Sequence, residues 1–236
     1  MSSFITYEPY EAGIVTLTMN RSEQRNALLG NLGHAGVCRS LRPNQEQSTV
    51  RRVIQTGSGT AFSAGENIKH MRAKRGFSST SPLDIRNTYL AGITLVPLML
   101  DELDVPTVAA IDSPAIEASM DLACTCDIRI ASDAASCASS FVKISIVPGD
   151  GGTWLLSKTV GPTKAPKLML HGKTIAADET QRIGLLSRVV SAAELISFTT
   201  SLKLSSAFQA LARCTEDHAE AVDTFIEKRD SMFLKR

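Results

Sequence analysis

Short runs of apolar residues, separated by polar or glycine-containing turns, predict a set of β-strands. Residues 13–19 alternate small or polar side chains with apolar ones, which is the pattern of a strand with one buried face. Shorter apolar runs that end at turns predict further strands at residues 50–56, 108–111, 127–131 and 189–190.

Helical segments alternate with these strands. The sequence predicts a long helix over residues 85–103, kinked by Pro97 and finished before Pro106. Further helices are predicted at residues 117–124, 153–159, 163–170, 178–184 and 192–228. The recurrence of strand, helix and strand is typical of an α/β protein with parallel strand pairing, and no segment has the composition of an interdomain linker.

Composition and charge narrow the class of protein. The chain has 236 residues, of which 43% are hydrophobic, so it can bury a core without help from disulfides or metals. Its 25 basic and 24 acidic residues nearly cancel, which argues against a broad nucleic-acid or membrane surface. The five scattered cysteines and the absence of a signal-peptide pattern predict reduced thiols and a cytoplasmic location.

No motif for a bound metal or cofactor is present. The four histidines share no i, i+4 spacing, and Cys124 and Cys126 have no second Cys/His pair to complete a zinc site. The sequence also lacks a dinucleotide fingerprint, a P-loop and a nucleophile elbow. We therefore predict no metal and no cofactor.

Several segments, in a fixed order, carry a resemblance to a known family. They are QRNAL at 24–28, AFSAGENIK at 61–69, AAIDSPAIEASMDLACTCD at 109–127, VPGDGGT at 147–153, GLLSRVV at 184–190 and AVDTFIEKR at 221–229. This set resembles the enoyl-CoA hydratase/isomerase (crotonase) family. The resemblance implies an α/β, crotonase-like spiral of β-β-α units over residues 1–190. It also implies a helical C-terminal region, 191–236, that forms a homotrimer or a dimer of trimers, and an acyl-CoA thioester as substrate.

The family's shared chemistry is the stabilisation of a thioester enolate by two backbone N–H groups. The resemblance places these donors at Ala64 and Ala118. Ala118 falls near the start of a predicted helix, where unpaired N–H groups and the helix dipole favour negative charge.

Two glutamates perform acid–base chemistry in hydratases of this family. The first matches Asp121, which is one methylene shorter, and the second falls on Phe141, which cannot exchange a proton. Asp150 is the nearest replacement carboxylate, although it is also a turn residue suited to capping the next helix. The family's dienoyl-CoA isomerases use aspartates at about the places of Asp121 and Asp150, which favours the isomerase alternative.

Other departures from the family pattern lie near the predicted oxyanion site. Glu117, Ser119 and Ser113 replace glycines or flank Ala118, and we expect their side chains to crowd the pocket. An ionised Glu117 would also oppose the charge of an enolate. In addition, the segment between Glu194 and Ser205 is shorter than in the family.

The resemblance also implies a coenzyme A site and a reaction. The residues at matching positions are Arg25, Ala27, Gly65, Asn67, Lys69, Phe225 and Lys228. The predicted activity is hydration of a 2-enoyl-CoA. The alternatives are another crotonase reaction (isomerisation, thioester hydrolysis or dehalogenation) and a catalytically weak acyl-CoA-binding scaffold.

Overall fold

A computed structural model describes most of the chain. The described residues are 4–10, 13–28, 36, 50–74, 81–103, 105–201, 220, 223–224 and 226–229. The chain divides into two compact units, Met1–Ile196 and Ser197–Arg236. The carboxyl pair and the predicted enolate donors described below belong to the first unit.

A six-stranded sheet forms the centre of the first unit. Its strands are β1 (Ile5–Tyr10), β2 (Ile14–Met19), β3 (Arg52–Gly57), β4 (Thr107–Ile111), β6 (Ile128–Ser132) and β9 (Arg188–Val190), in that spatial order. The β1–β2 pair is antiparallel and all the other pairs are parallel. Every residue of β3 and β4 is buried, as expected for parallel strands covered on both faces.

A smaller sheet and the helices surround this centre. The smaller sheet contains β5 (Ala115–Ile116), β7 (Ser136–Ala138) and β8 (Ile175–Ala176), in that order. The helices are α1 (Ile68–Arg72), α2 (Pro82–Leu90), α3 (Leu95–Asp101), α4 (Ala118–Thr125), α5 (Gly152–Val160), α6 (Lys164–His171), α7 (Ala177–Arg182) and α8 (Leu195–Ser201). Among the described residues, no helix combines the length and apolarity needed to cross a lipid bilayer.

The prediction of one kinked helix over residues 85–103 is wrong. Two helices occupy this stretch, because α2 ends in a turn at residues 91–94 that contains Gly92. Pro97 is the third residue of α3, where its missing N–H has no helical partner to lose, so it sits at a helix start rather than at a kink. The predicted helix over residues 192–228 lies largely outside the described residues.

Asn26 fixes the turn that precedes the predicted coenzyme A segment. Its side chain is fully buried, accepts a hydrogen bond from the Arg21 N–H at 2.8 Å, and donates to the carbonyls of Ser58 and Ala61, both at 2.8 Å. The asparagine of the QRNAL motif therefore joins the turn after β2 to the loop after β3.

Replacing Asn26 with alanine is expected to destabilise the protein by about 3 kcal/mol, because three buried backbone groups lose their partner. Urea denaturation measures this change. Arg25→Ala is the matched control, since Arg25 has the same left-handed backbone, with φ of 51° against 53° for Asn26, but an exposed side chain. An equal loss in both variants would attribute the effect to backbone strain and contradict the hydrogen-bond explanation.

Candidate active site

Two short segments run side by side and bring the predicted enolate donors together. Ser63 forms a parallel β-bridge with Ala115, and the Ile116 N–H donates to the Ser63 carbonyl at 3.2 Å. The Ser119 hydroxyl donates to that same carbonyl at 2.7 Å and is fully buried. The expectation that Ser119 crowds the pocket is therefore wrong, because its side chain ties the two segments together.

The two predicted donor amides differ in their present hydrogen bonding. The Ala64 N–H donates to the Arg25 carbonyl at 2.9 Å. Ala118 is the first residue of α4, and no described residue accepts a hydrogen bond from its N–H. The Ala118 amide is thus available to an incoming acceptor, whereas the Ala64 amide must first exchange its partner.

Asp121 and Asp150 meet as a buried carboxyl pair. Asp121 lies in the first turn of α4 and Asp150 in the loop before α5, with exposed fractions of only 1% and 5%. Asp150 accepts a hydrogen bond from the Gly152 N–H at 3.3 Å, while no described group donates to either oxygen of Asp121. Two buried negative charges this close repel each other, so the pair favours a state in which it holds one proton.

Burial and neighbouring groups shift the pKa values of Asp121 and Asp150 to different extents. Burial raises the pKa of Asp121 well above its usual value, and the charges of Asp150 and Glu117 raise it further. Burial also raises the pKa of Asp150, but the neighbouring Asp121 side chain and the amides of Asp150 and Gly152 oppose that rise. The pKa of Asp121 is thus raised by burial and by its charged neighbours together, whereas the rise at Asp150 is partly opposed, and such a pair suits one acid and one base.

Gly152 allows this arrangement because α5 begins directly against the Asp121 carboxyl. A β-carbon at Gly152 would lie 2.0 Å from Asp121 Oδ2 and 2.2 Å from Asp121 Cγ. Only glycine can occupy this place without moving the carboxyl.

An apolar cleft that opens to solvent has both members of the carboxyl pair in its lining. It is lined by Leu28, Ile93, Val96, Pro97, Ala118, Asp121, Leu122, Thr125 and Asp150. The lining suits an apolar group whose reactive end meets the two carboxyls.

Two titratable residues near the pair, Glu66 and Tyr89, were not among the site residues predicted from the sequence. Burial raises the pKa of Glu66 to about 7, and the nearby charges of Glu117 and Asp150 contribute to that rise. Burial, with Glu66 and Asp150, raises the pKa of Tyr89 to about 12. The sequence could have indicated Glu66, because it is an acidic residue directly after Gly65 in the predicted site segment. No sequence pattern in α2 indicates Tyr89.

Phe141 does not supply chemistry at the position of the family's second glutamate. It is 6% exposed and belongs to the hydrophobic core. The neighbouring Ser140 hydroxyl donates to Glu117 Oε1 at 2.9 Å. In the part of the chain that the structure describes, no group of three or more metal-binding side chains is placed to hold an ion.

The predicted coenzyme A residues lie on neighbouring segments where they are described. Leu28 pairs with Glu66, which places the segment of Arg25 and Ala27 beside that of Gly65. The Asn67 side chain caps α1 by accepting from the amides of Lys69 and His70, and Lys69 is exposed. Phe225 lies outside the described residues, and Lys228 is an exposed residue of the second unit.

Comparisons with known proteins agree with this architecture. A probable enoyl-CoA hydratase of Mycobacterium tuberculosis is 30% identical over 255 residues, covering 95% of each chain. The crystal structure of an enoyl-CoA hydratase from Bacillus anthracis matches with a TM-score of 0.78 and 26% identity, covering 99% of this chain and 100% of that one. A protein described as an enoyl-CoA hydratase, from Thermobifida fusca in complex with CoA, matches with a TM-score of 0.76 and 29% identity over 89% of this chain and 79% of that one.

These similarities confirm the predicted crotonase-like α/β fold. The family model for enoyl-CoA hydratase/isomerase matches residues 9–232, which is nearly the whole chain. The chain belongs to the enoyl-CoA hydratase/isomerase family.

Proposed function

We propose that the protein hydrates a 2-enoyl-CoA thioester, with Asp121 as the acid and Asp150 as the base. The observation that carries this proposal is the buried carboxyl pair in the lining of an apolar cleft. Addition of water to a conjugated thioester needs one group to accept a proton and another to donate one, and the pair holds both states at once.

The two carboxyls account for every proton that the proposed reaction moves. The water oxygen bonds to C3 of the acyl chain, its proton passes to Asp150, and the electrons of the double bond move to the thioester oxygen. Asp121 then delivers its proton to C2 and becomes ionised. A proton passing from Asp150 to Asp121, which line the same cleft, restores the starting state.

The developing negative charge on the thioester oxygen requires donors. The Ala118 N–H at the start of α4 supplies one, and the Ala64 N–H supplies another once it leaves the Arg25 carbonyl. Removing one such donor typically costs about 10²–10³ in rate.

Isomerisation of an unsaturated acyl-CoA is the second candidate. It is favoured by Phe141, which leaves no glutamate at the family's second catalytic position. In that reaction a carboxylate removes a proton from C2 and a proton returns at C4, so no water is needed.

The proposal also includes the coenzyme A contacts, the oligomeric state and the cellular compartment. Arg25, Ala27, Gly65, Asn67 and Lys69 would contact the coenzyme A portion, and the family pattern assigns the same role to Phe225 and Lys228. A homotrimer, or a dimer of trimers, is the assembly that this proposal includes. Three buried free cysteines, Cys124, Cys126 and Cys137, support a reducing compartment such as the cytoplasm.

Two absorbance assays test the proposal. Hydration is expected to remove the conjugated absorbance of crotonyl-CoA, whereas isomerisation would create that absorbance from a 3-enoyl-CoA. Calorimetric titration with acetoacetyl-CoA accompanies both assays. Binding without either absorbance change would contradict an active hydratase or isomerase, and the absence of binding would contradict the ligand assignment itself.

A further inference from the structure

The ring of Tyr89 packs directly against the backbone of Gly149. A β-carbon built on Gly149 would lie 2.3 Å from Tyr89 Cε1 and 2.9 Å from Tyr89 Cδ1, so no side chain fits there unless the ring moves. The φ of Gly149 is not in the left-handed region, so its backbone conformation is open to other residues. The Tyr89 ring, rather than the backbone, therefore restricts residue 149 to glycine.

Gly149 belongs to a loop whose backbone forms no pairing of its own. Residues 147–150 lie before α5 and end at Asp150, which is buried. Among the described residues, no backbone-to-backbone hydrogen bond involves residues 147–150. Packing must therefore set the position of this loop, and the Tyr89 ring supplies a contact one residue before Asp150.

Tyr89 also closes the turn between α2 and α3. Its carbonyl accepts hydrogen bonds from the amides of Gly92 and Thr94, both at 3.2 Å. This turn carries Ile93, which is buried and lines the cleft together with Asp150. Tyr89 thus connects two parts of the cleft lining, through its carbonyl to the turn of Ile93 and through its ring to the loop of Asp150.

The Tyr89 phenol stays neutral in this position. Burial raises its pKa to about 12, and the charges of Glu66 and Asp150 contribute to that rise. Because the phenol keeps its proton at neutral pH, it adds no charge beside the carboxyl pair. What Tyr89 offers the pair at neutral pH is the packing of its ring.

We propose that Tyr89 is a positioning residue, whose ring holds the loop before α5 so that the Asp150 carboxyl stays in the cleft lining beside Asp121. The inference deepens the proposed function and rests on it, since Asp150 is the proposed base. A displaced Asp150 would leave the apolar lining free to bind the thioester, but a misplacement of about 1 Å can cost about 10²-fold in rate. The loss is therefore expected in kcat rather than in KM.

Two substitutions of Tyr89 separate the ring from the hydroxyl. Tyr89→Phe keeps the ring, so its kcat should stay within about threefold of the parent protein. Tyr89→Leu removes the flat ring, so its kcat should fall about 10–10²-fold, while KM and the affinity for acetoacetyl-CoA stay within about threefold. Tyr7→Leu is the matched control, because Tyr7 is also half-buried against the core but lies on the edge strand β1. It should lower the Tm and leave kcat unchanged.

Gly149→Ala disturbs the same contact from the other side. Its β-carbon must displace the Tyr89 ring, so both kcat and the urea midpoint of unfolding should fall. In a Tyr89→Ala background the ring is absent, and adding Gly149→Ala should then lower both quantities much less. The urea measurement reports the contact without any turnover.

The outcomes distinguish this inference from the proposed function. A parent protein that turns over neither crotonyl-CoA nor a 3-enoyl-CoA contradicts the proposed function and the positioning role with it. With an active parent, full kcat in Tyr89→Leu, a Tyr89→Phe as slow as Tyr89→Leu, or an equal loss of kcat in Tyr7→Leu overturns the positioning role alone. An equal effect of Gly149→Ala with and without the Tyr89 ring would also overturn it.

Discussion

Replacing Asp121 with asparagine is expected to slow turnover about 10²–10⁴-fold, the range typical of a lost general acid or base. Asparagine has nearly the shape of the protonated aspartate and can still donate to Asp150, so the pair stays in place. It cannot deliver a proton to C2, and the loss should therefore appear in kcat more than in KM. Steady-state kinetics with crotonyl-CoA measures both.

The same substitution should change how stability depends on pH. The folded-state pKa of Asp121 is raised, so its stabilising contribution is complete below its unfolded pKa, near 4, and is lost as the pH rises through the folded pKa. This loss can reach about 1.4 kcal/mol per pH unit for one proton. Asp121→Asn has no such proton to lose, and its unfolding free energy should fall less steeply above pH 4.

Asp133→Asn is the matched control, because Asp133 is exposed. It should leave kcat unchanged. Full activity in Asp121→Asn would move the chemistry to Asp150 or another group. A pH dependence identical to that of the parent would show that Asp121 is ionised in the folded protein.

Gly152→Ala is expected to reduce activity at least about 10²-fold and to lower stability by about 1–3 kcal/mol. Its β-carbon would stand 2.0 Å from Asp121 Oδ2, so the carboxyl must move away from both Asp150 and the cleft. Kinetics and urea denaturation of the purified variant measure the two effects.

Two further variants identify the cause of the Gly152→Ala effect. Thr153→Ala changes the next residue of α5, which is exposed, and should alter stability by less than about 0.5 kcal/mol. In an Asp121→Ala background the obstacle is gone, so adding Gly152→Ala should destabilise much less. An equal destabilisation with and without the Asp121 carboxyl would show that the collision is not the cause.

Much of the central sheet is predictable from the sequence because its strands are continuous apolar runs. Strands β3 and β4 are buried along their whole length, and the predicted segments at residues 50–56 and 108–111 match them within two residues. The two-residue strands β5 and β8 carry no periodicity, since they exist only through pairing with β7. The antiparallel edge strand β1 was also missed, because its outer half is exposed and polar.

Residues of the candidate site can be predicted where the residue type itself indicates chemistry. They cannot be predicted where their position or pKa depends on how distant segments pack together. Asp121 and Asp150 were identified from the family pattern, and they lie together in the structure. The raised pKa of Glu66 and the inward position of the Glu117 carboxyl depend on burial and on neighbours distant in sequence. The bond from Ala64 to the Arg25 carbonyl depends on two segments meeting, which no local pattern encodes.

Deuterium incorporation at C2 tests most directly whether the buried pair transfers protons to an acyl-CoA. Both candidate reactions pass through an enolate, so incubation with crotonyl-CoA in D₂O, followed by mass spectrometry, reports the step that they share. We expect the parent protein to place deuterium at C2, and Asp121→Asn to do so at least about 10²-fold more slowly. Unlabelled acyl-CoA from a parent protein that binds the thioester, or equal labelling in both proteins, would contradict proton transfer by Asp121 and Asp150.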